Sequence, residues 1–170
     1  VWGRAEPMRR VFYHNAHDII SLATLAATFC RLLVEPLSAI QHGEDLYCLG
    51  QRLESLGDVE TASALYRRSL CVPLSDALRR STMHRLGHLH RRAGQVDEAA
   101  SLWRALAERD DVDACLALAK HCEHRTRDLE GAVALAERAM DLLRRAQRPD
   151  RRRLAEVEHR LRRLERKRSR

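Results

Sequence analysis

Apolar residues return every three or four positions along most of this chain, and no run of alternating β-branched residues interrupts them, so the pattern predicts helices. Breakers set the bounds. Gly3 and Pro7 predict irregular or extended backbone over residues 1–12, with Val11-Phe12-Tyr13 as an apolar lead-in. A strongly apolar helix follows over about 15–34, stopping at Glu35 because a residue before proline avoids the α region. Residues 36–44 form a link, and three helix pairs come next: 44–56 with 59–72, 75–93 with 96–109, and 111–124 with 128–147. Gly57-Asp58 and Gly94 supply the first two turns, and Val72-Pro73 closes the first unit. Arg148-Pro149 breaks the chain before a last helix over about 150–167, where Leu154, Val157, Leu161 and Leu164 recur at helical spacing.

The first two pairs repeat each other. Leu49, Gly50, Gly57, Ala62 and Tyr66 return 37 positions later as Leu86, Gly87, Gly94, Ala99 and Trp103. A worn third copy, RDLEGA, ends at Ala132, 33 positions after Ala99. A period in this range indicates stacked helix pairs, because one pair cannot bury its apolar face alone. The recurring residues have a packing reason. Leu-Gly sets a large apolar group beside a position without a side chain, so the facing helix can approach closely. Ala62, Ala99 and Ala132 do the same from the second helix, and Tyr66 and Trp103, four residues on, fill the space between units. These positions resemble the tetratricopeptide repeat. The third copy departs from it, with Ala119-Lys120 where Leu-Gly stands and Ala136 where the aromatic stands. The fold class implied is all-α: a tetratricopeptide-like helical-hairpin array, or α-solenoid, of the kind that serves as a binding scaffold.

Composition agrees. Gly and Pro number seven and four, while Ala, Leu, Arg and Glu abound, a mix that favours helix. No apolar stretch is long enough to cross a membrane; residues 19–34 come nearest but are interrupted by Arg31. The five cysteines are odd in number, lack a CxxC pair and fall in helical patterns, and so are expected as reduced, buried thiols of a cytoplasmic protein. His84 with His88, and His121 with Cys122 and His124, lack the rest of a zinc signature and are expected on ordinary helix surface.

Charge changes the picture at one end. From Arg144 onward there are thirteen Lys or Arg against four acids, a surplus of nine that exceeds the net +7 of the whole chain. Such a tail, with Arg151, Arg152, Arg153, Arg162 and Arg163 as candidate contacts, could meet nucleic-acid phosphates. It could equally be the solvated face of an amphipathic helix. No aromatic residue follows Trp103, so base stacking by the tail is not expected.

One segment has chemical character. YHNAHDIISLATLA, from Tyr13 to Ala26, runs a His, Asn, His, Asp cluster into the apolar helix. Asp18 would lie in the first helical turn, with His14 at its start. The carboxylate could cap the helix and meet its dipole, or serve as a metal ligand with His14 positioning a water.

HNAHDIISLATL resembles the final motif of the YprB-like ribonuclease H-like exonucleases, which opens the last helix of the nuclease domain. LALAKHCEHRTRDLEGAVALAERAM (Leu116–Met140) and VEHRLRRLERKRSR (Val157–Arg170) are similar to the helical tail of the same family. The resemblance implies the carboxy-terminal part of a DEDD-type, metal-dependent 3′–5′ exonuclease acting on nucleic acid. Residues 1–36 would be the nuclease remnant, 37–147 the repeats that hold substrate or a protein partner, and 148–170 a basic helix. Asp18 matches the last of four carboxylates that hold Mg²⁺ or Mn²⁺, and His14 matches the residue that orients the attacking water. The other three carboxylates would precede Val1, so the piece is expected to be inactive and metal-free by itself. The other class of function is a non-catalytic tetratricopeptide-like interaction scaffold in which HNAHD only caps a helix.

Overall fold

The structure is a computed structural model that describes residues 6–148 and 150–169, without the side chains of 6, 7 and 33. The first five residues of the expected irregular start, Pro149 of the last break and Arg170 of the tail lie outside that set. Among the described residues there is no strand. The helices are α1 (Glu6–Val34), α2 (Pro36–Ala39), α3 (Gly43–Leu56), α4 (Val59–Leu70), α5 (Asp76–Arg92), α6 (Val96–Ala107), α7 (Val112–His121), α8 (Leu129–Arg145) and α9 (Arg151–Arg168). A π-helical turn, Cys122–Thr126, follows α7.

The largest departure from expectation is at the start. Residues 6–12 are helical, and α1 runs unbroken for 29 residues, about 43 Å at 1.5 Å per residue. Pro7, read as a breaker, sits in the first turn. There its missing N–H would have had no partner anyway, and its fixed φ already suits a helix. The stop holds: α1 ends at Val34, Glu35 is non-helical, and Pro36 opens α2.

From Gly43 onward the chain is an array of antiparallel helix pairs. α3 packs on α4, α5 on α6 and α7 on α8, while α4–α5 and α6–α7 join neighbouring pairs. α9 lays Val157, Leu161 and Leu164 against α8 and closes the far end of the core. The second helix of each outer pair begins on an aspartate cap. Asp58 accepts from Thr61 N–H and Asp128 from Gly131 N–H; Asp111 and Asp150 cap α7 and α9 in the same way.

The repeated positions do what their spacing requires. A Cβ on Gly50 would stand 2.7 Å from Tyr66 Cε1, and one on Gly87 2.7 Å from Trp103 Nε1. The aromatic ring of the second helix thus lies directly over the glycine of the first. Tyr66 is fully buried, and its hydroxyl donates to Glu54 Oε2 at 2.7 Å. Arg85 from α5 donates to the same oxygen at 2.8 Å, tying the first pair to the second. Burial, then the hydrogen bond and negative charge of Glu54, push the Tyr66 hydroxyl well above the ordinary tyrosine range. In the third pair the aromatic is gone. Ala119 and Ala136 are fully buried, and Lys120, in the glycine's place, keeps its side chain exposed.

The turns show the same substitution of parts. Gly57 and Gly94 adopt left-handed backbone, with φ of 89° and 80°, but the matching residue before Asp128 is Arg127, at φ 57°. A side chain in that region costs roughly 1 kcal/mol relative to glycine. Arg127→Gly is therefore expected to raise the urea midpoint slightly or leave it unchanged, while Gly94→Ala lowers it by about 1 kcal/mol of stability. Loss of stability in Arg127→Gly would show that the arginine side chain holds the turn.

The expectation of buried thiols holds in part. All five cysteines are free; Cys115 is buried and Cys122 half-buried, but Cys30, Cys48 and Cys71 are exposed. Helical placement put the first three on outer faces that the sequence pattern alone did not separate from inner ones.

Candidate functional site

The polar cluster of α1 is placed differently from its expectation. His14, Asn15, His17 and Asp18 are all exposed. Asp18 lies more than three turns into α1, so it cannot cap the helix; the backbone N–H groups there already bond to carbonyls four residues back. His14 and Asp18, four residues apart, do share a face. Tyr13 packs edge-on against His17, with ring centroids 4.4 Å apart. Asp18 offers one carboxylate, and among the described residues no group of three His, Cys, Asp or Glu side chains is arranged to hold a metal ion. These residues alone do not fit the two-cation set that the exonuclease resemblance implies, and no chemical step is derived through a metal. α1 also leaves Phe12, Ile19, Ile20, Leu22, Leu25 and Phe29 more than half exposed, and its substantial helix packing is against the short α2.

Half of the twelve described basic residues of the tail stand in ion pairs. Arg153 Nη2 pairs closely with Asp113 of α7. Arg163 Nη2 lies 2.5 Å from Glu123 Oε2 and Lys167 Nζ 2.5 Å from Glu123 Oε1. Arg152 and Arg162 meet Glu156 and Glu158 one turn along α9 at 3.1 and 3.8 Å. Of the five candidate nucleic-acid contacts, Arg151, Arg152 and Arg162 remain fully outward, while Arg153 and Arg163 are drawn into contacts between helices.

Glu123 is the pivot of that arrangement. Its side chain is 1% exposed, and Arg160 and His124 approach it at 3.8 and 3.5 Å in addition to Arg163 and Lys167. Burial by itself would raise this carboxyl. The Lys167 hydrogen bond and the charges of Arg163, His124 and Lys167 outweigh burial and hold it below the ordinary carboxylate value. The π-helical turn sets Glu123 against α9 and brings Arg125, with His124 between them at 3.5 Å from Glu123, to the opposite side.

On that opposite side is a cleft of about 530 Å³, within the size range of ligand-binding sites. α5 contributes His84, His88 and Arg91 to it, α6 the edge of Trp103, and α7 with the π-helical turn Lys120, His121, His124 and Arg125. Three permanent cations thus face a single lining carboxylate, Asp113, which Arg153 already neutralises. Burial, then Arg91 and His84, push the His88 imidazole below its usual value. His84 is held by Asp111 at 3.0 Å. Two lining residues carry a buried nitrogen with no hydrogen-bond partner, Trp103 Nε1 and His121 Nδ1. This cleft is the site that sequence reasoning missed. Its only signal was the two histidine groups, which were weighed as zinc ligands separately; the array brings them to one cavity.

No protein-family model matches the chain, and no curated protein matches it. Among solved structures, the chain is similar to MamA, a tetratricopeptide-like helical protein, seen in its crystal structure. The TM-score is 0.52 at 15% identity, over 79% of this chain and 83% of MamA. At that identity the likeness concerns the fold alone and says nothing of an exonuclease. The repeated glycine–aromatic contacts, the aspartate-capped helix pairs and this likeness agree: the chain is an all-α, tetratricopeptide-like helical-hairpin array.

Proposed function

We propose that this chain is a helical-repeat scaffold that binds a protein partner, and that the partner sits in the cleft between α5 and α7. The observation that carries this reading is a cavity of about 530 Å³ lined from both the second and the third helix pair. Its lining carries the positive charge of Arg91, Lys120 and Arg125 against a single lining carboxylate, Asp113, which is paired with Arg153. The exonuclease reading rests on the resemblance of the His14–Asp18 segment, Leu116–Met140 and Val157–Arg170 to that family, and the likeness to MamA adds nothing to it.

Selection from a phage-displayed library of random peptides tests the scaffold reading. Peptides enriched on the intact chain should slow amide hydrogen exchange in α5 and α7. No enrichment at all, or protection confined to α1, would remove the reading.

A further inference from the structure

The cleft carries an inference about the chemistry of its occupant, which rests on the scaffold reading above. We propose that the cleft between α5 and α7 receives an acidic peptide segment, whose carboxylates are held by Arg91, Lys120 and Arg125. Charge complementarity is the first argument. Those three side chains line one cavity from two helices and a π-helical turn, and the one acid among them, Asp113, is already paired with Arg153. Like charges gathered in a cleft with low-dielectric walls raise the local potential and attract anions.

The second argument is what the lining lacks. Trp103 is only 2% exposed and lies beneath His88, with ring centroids 5.9 Å apart. No exposed Trp, Tyr or Phe face is offered among the lining residues, and such faces supply much of single-strand affinity. Carboxylates need no such platform. They can meet the guanidinium groups in bidentate fashion and the ammonium of Lys120 as a point charge. The lining imidazoles of His121 and His124 can add hydrogen bonds to acceptor-rich side chains.

The third argument is structural support. Glu123 ties the π-helical turn to α9 through Arg163 and Lys167 and so fixes the turn that carries Arg125 into the cleft lining. A site held by a packed element is pre-organised, which reduces the ordering cost of binding.

A fluorescein-labelled oligoglutamate peptide, titrated by anisotropy at low salt, is the direct probe. Saturable binding that weakens as salt rises is expected. Reversing the charge of Arg91 and Arg125 together (Arg91→Glu, Arg125→Glu) should weaken it by about tenfold or more. The same reversal at Arg151 and Arg152 on the outer face of α9 should change it less than about twofold. Circular dichroism of each variant separates lost binding from lost folding, and Lys120→Gln, at an exposed side chain, gives a variant that leaves the core untouched. Equal loss in the α9 variant, or a single-stranded oligonucleotide that binds more tightly through Arg91 and Arg125, overturns the proposal. The phage selection separates the two levels. Enriched peptides that are neutral or basic yet protect α5 and α7 refute the acidic occupant while leaving the scaffold standing, whereas an absence of binders refutes the scaffold itself.

Discussion

Glu123→Ala is expected to lower stability by roughly 2–3 kcal/mol, or about 4–12 °C in melting temperature for a chain of this size. Removing one partner of a buried ion pair costs about 3–5 kcal/mol when the other charge is left stranded. The cost falls at or below the bottom of that range because Arg163 and Lys167 are 39% and 46% exposed and can rehydrate. Arg160 is less able to do so, being 21% exposed with Nη1 buried and without a hydrogen-bond partner. The damage should be local, since the carboxylate joins the π-helical turn to α9. Trypsin should therefore cleave within 151–168 in the variant at concentrations that leave the parent intact. An unchanged melting temperature with α9 still protected would show that the apolar seam of Val157, Leu161 and Leu164 holds the helix without the carboxylate.

The same residue sets an acid limit. Its folded-state carboxyl lies below the ordinary value of 4.5, so its contribution to stability is present above that value and is lost as the pH falls through the folded-state value. Urea midpoints should stay level between about pH 7 and pH 5 as far as this group is concerned and fall below about pH 4.5. In Glu123→Gln the midpoint near neutrality should be lower and the acid limb flatter. A variant whose acid limb matches the parent's would assign that limb to other carboxylates.

The second large effect concerns the glycine under the indole. A Cβ at position 87 meets Trp103 Nε1 at 2.7 Å and Cε2 at 3.2 Å, and the indole is buried, so the ring must shift to admit it. Gly87→Lys should therefore cost about 1–3 kcal/mol through overpacking, despite the roughly 1 kcal/mol gained in helix propensity. Trp103→Ala alone should cost about 3–5 kcal/mol by leaving a cavity. The third pair shows how the two positions are linked: Lys120 and Ala136 stand there together, and the alanine is fully buried. The double variant should consequently lose about 1–2 kcal/mol less than the two single losses combined. Additive losses in urea denaturation would mean that the third pair accommodates its lysine by a different backbone geometry.

The parts of this molecule that could be read from the residues are the parts set locally or by strict repetition. The echo of Gly50 and Tyr66 in Gly87 and Trp103 marks a contact between two helices of one hairpin, so a fixed sequence separation carries it. The turns at Gly57 and Gly94 and the cap at Asp58 are decided by backbone groups within a few residues. The start of α1 was misread for a local reason too: proline stops a helix from within but suits its first turn, and composition does not say which side of the boundary it occupies.

The site is a different matter. Arg153 meets Asp113, and Arg163 and Lys167 meet Glu123, across 40 to 44 residues, and those meetings depend on how α8 turns the chain back against α7. From sequence, the tail was a block of positive charge of which any arginine could face a phosphate. Packing assigns two of the five candidates to ion pairs between helices. His84 and His88 likewise lie more than thirty residues from His121 and His124, and only the stacking of the second pair on the third brings them to one cleft.

By itself, then, the sequence determined that this chain is an all-α array of helix pairs, because helical period, caps and interdigitating glycine–aromatic positions are encoded at short and repeated distances. Only the tertiary structure decided which charges are spent on holding α9 and which are left facing the cleft. Coulomb attraction depends on distance in space, and that distance is set by how each pair rotates on its neighbour.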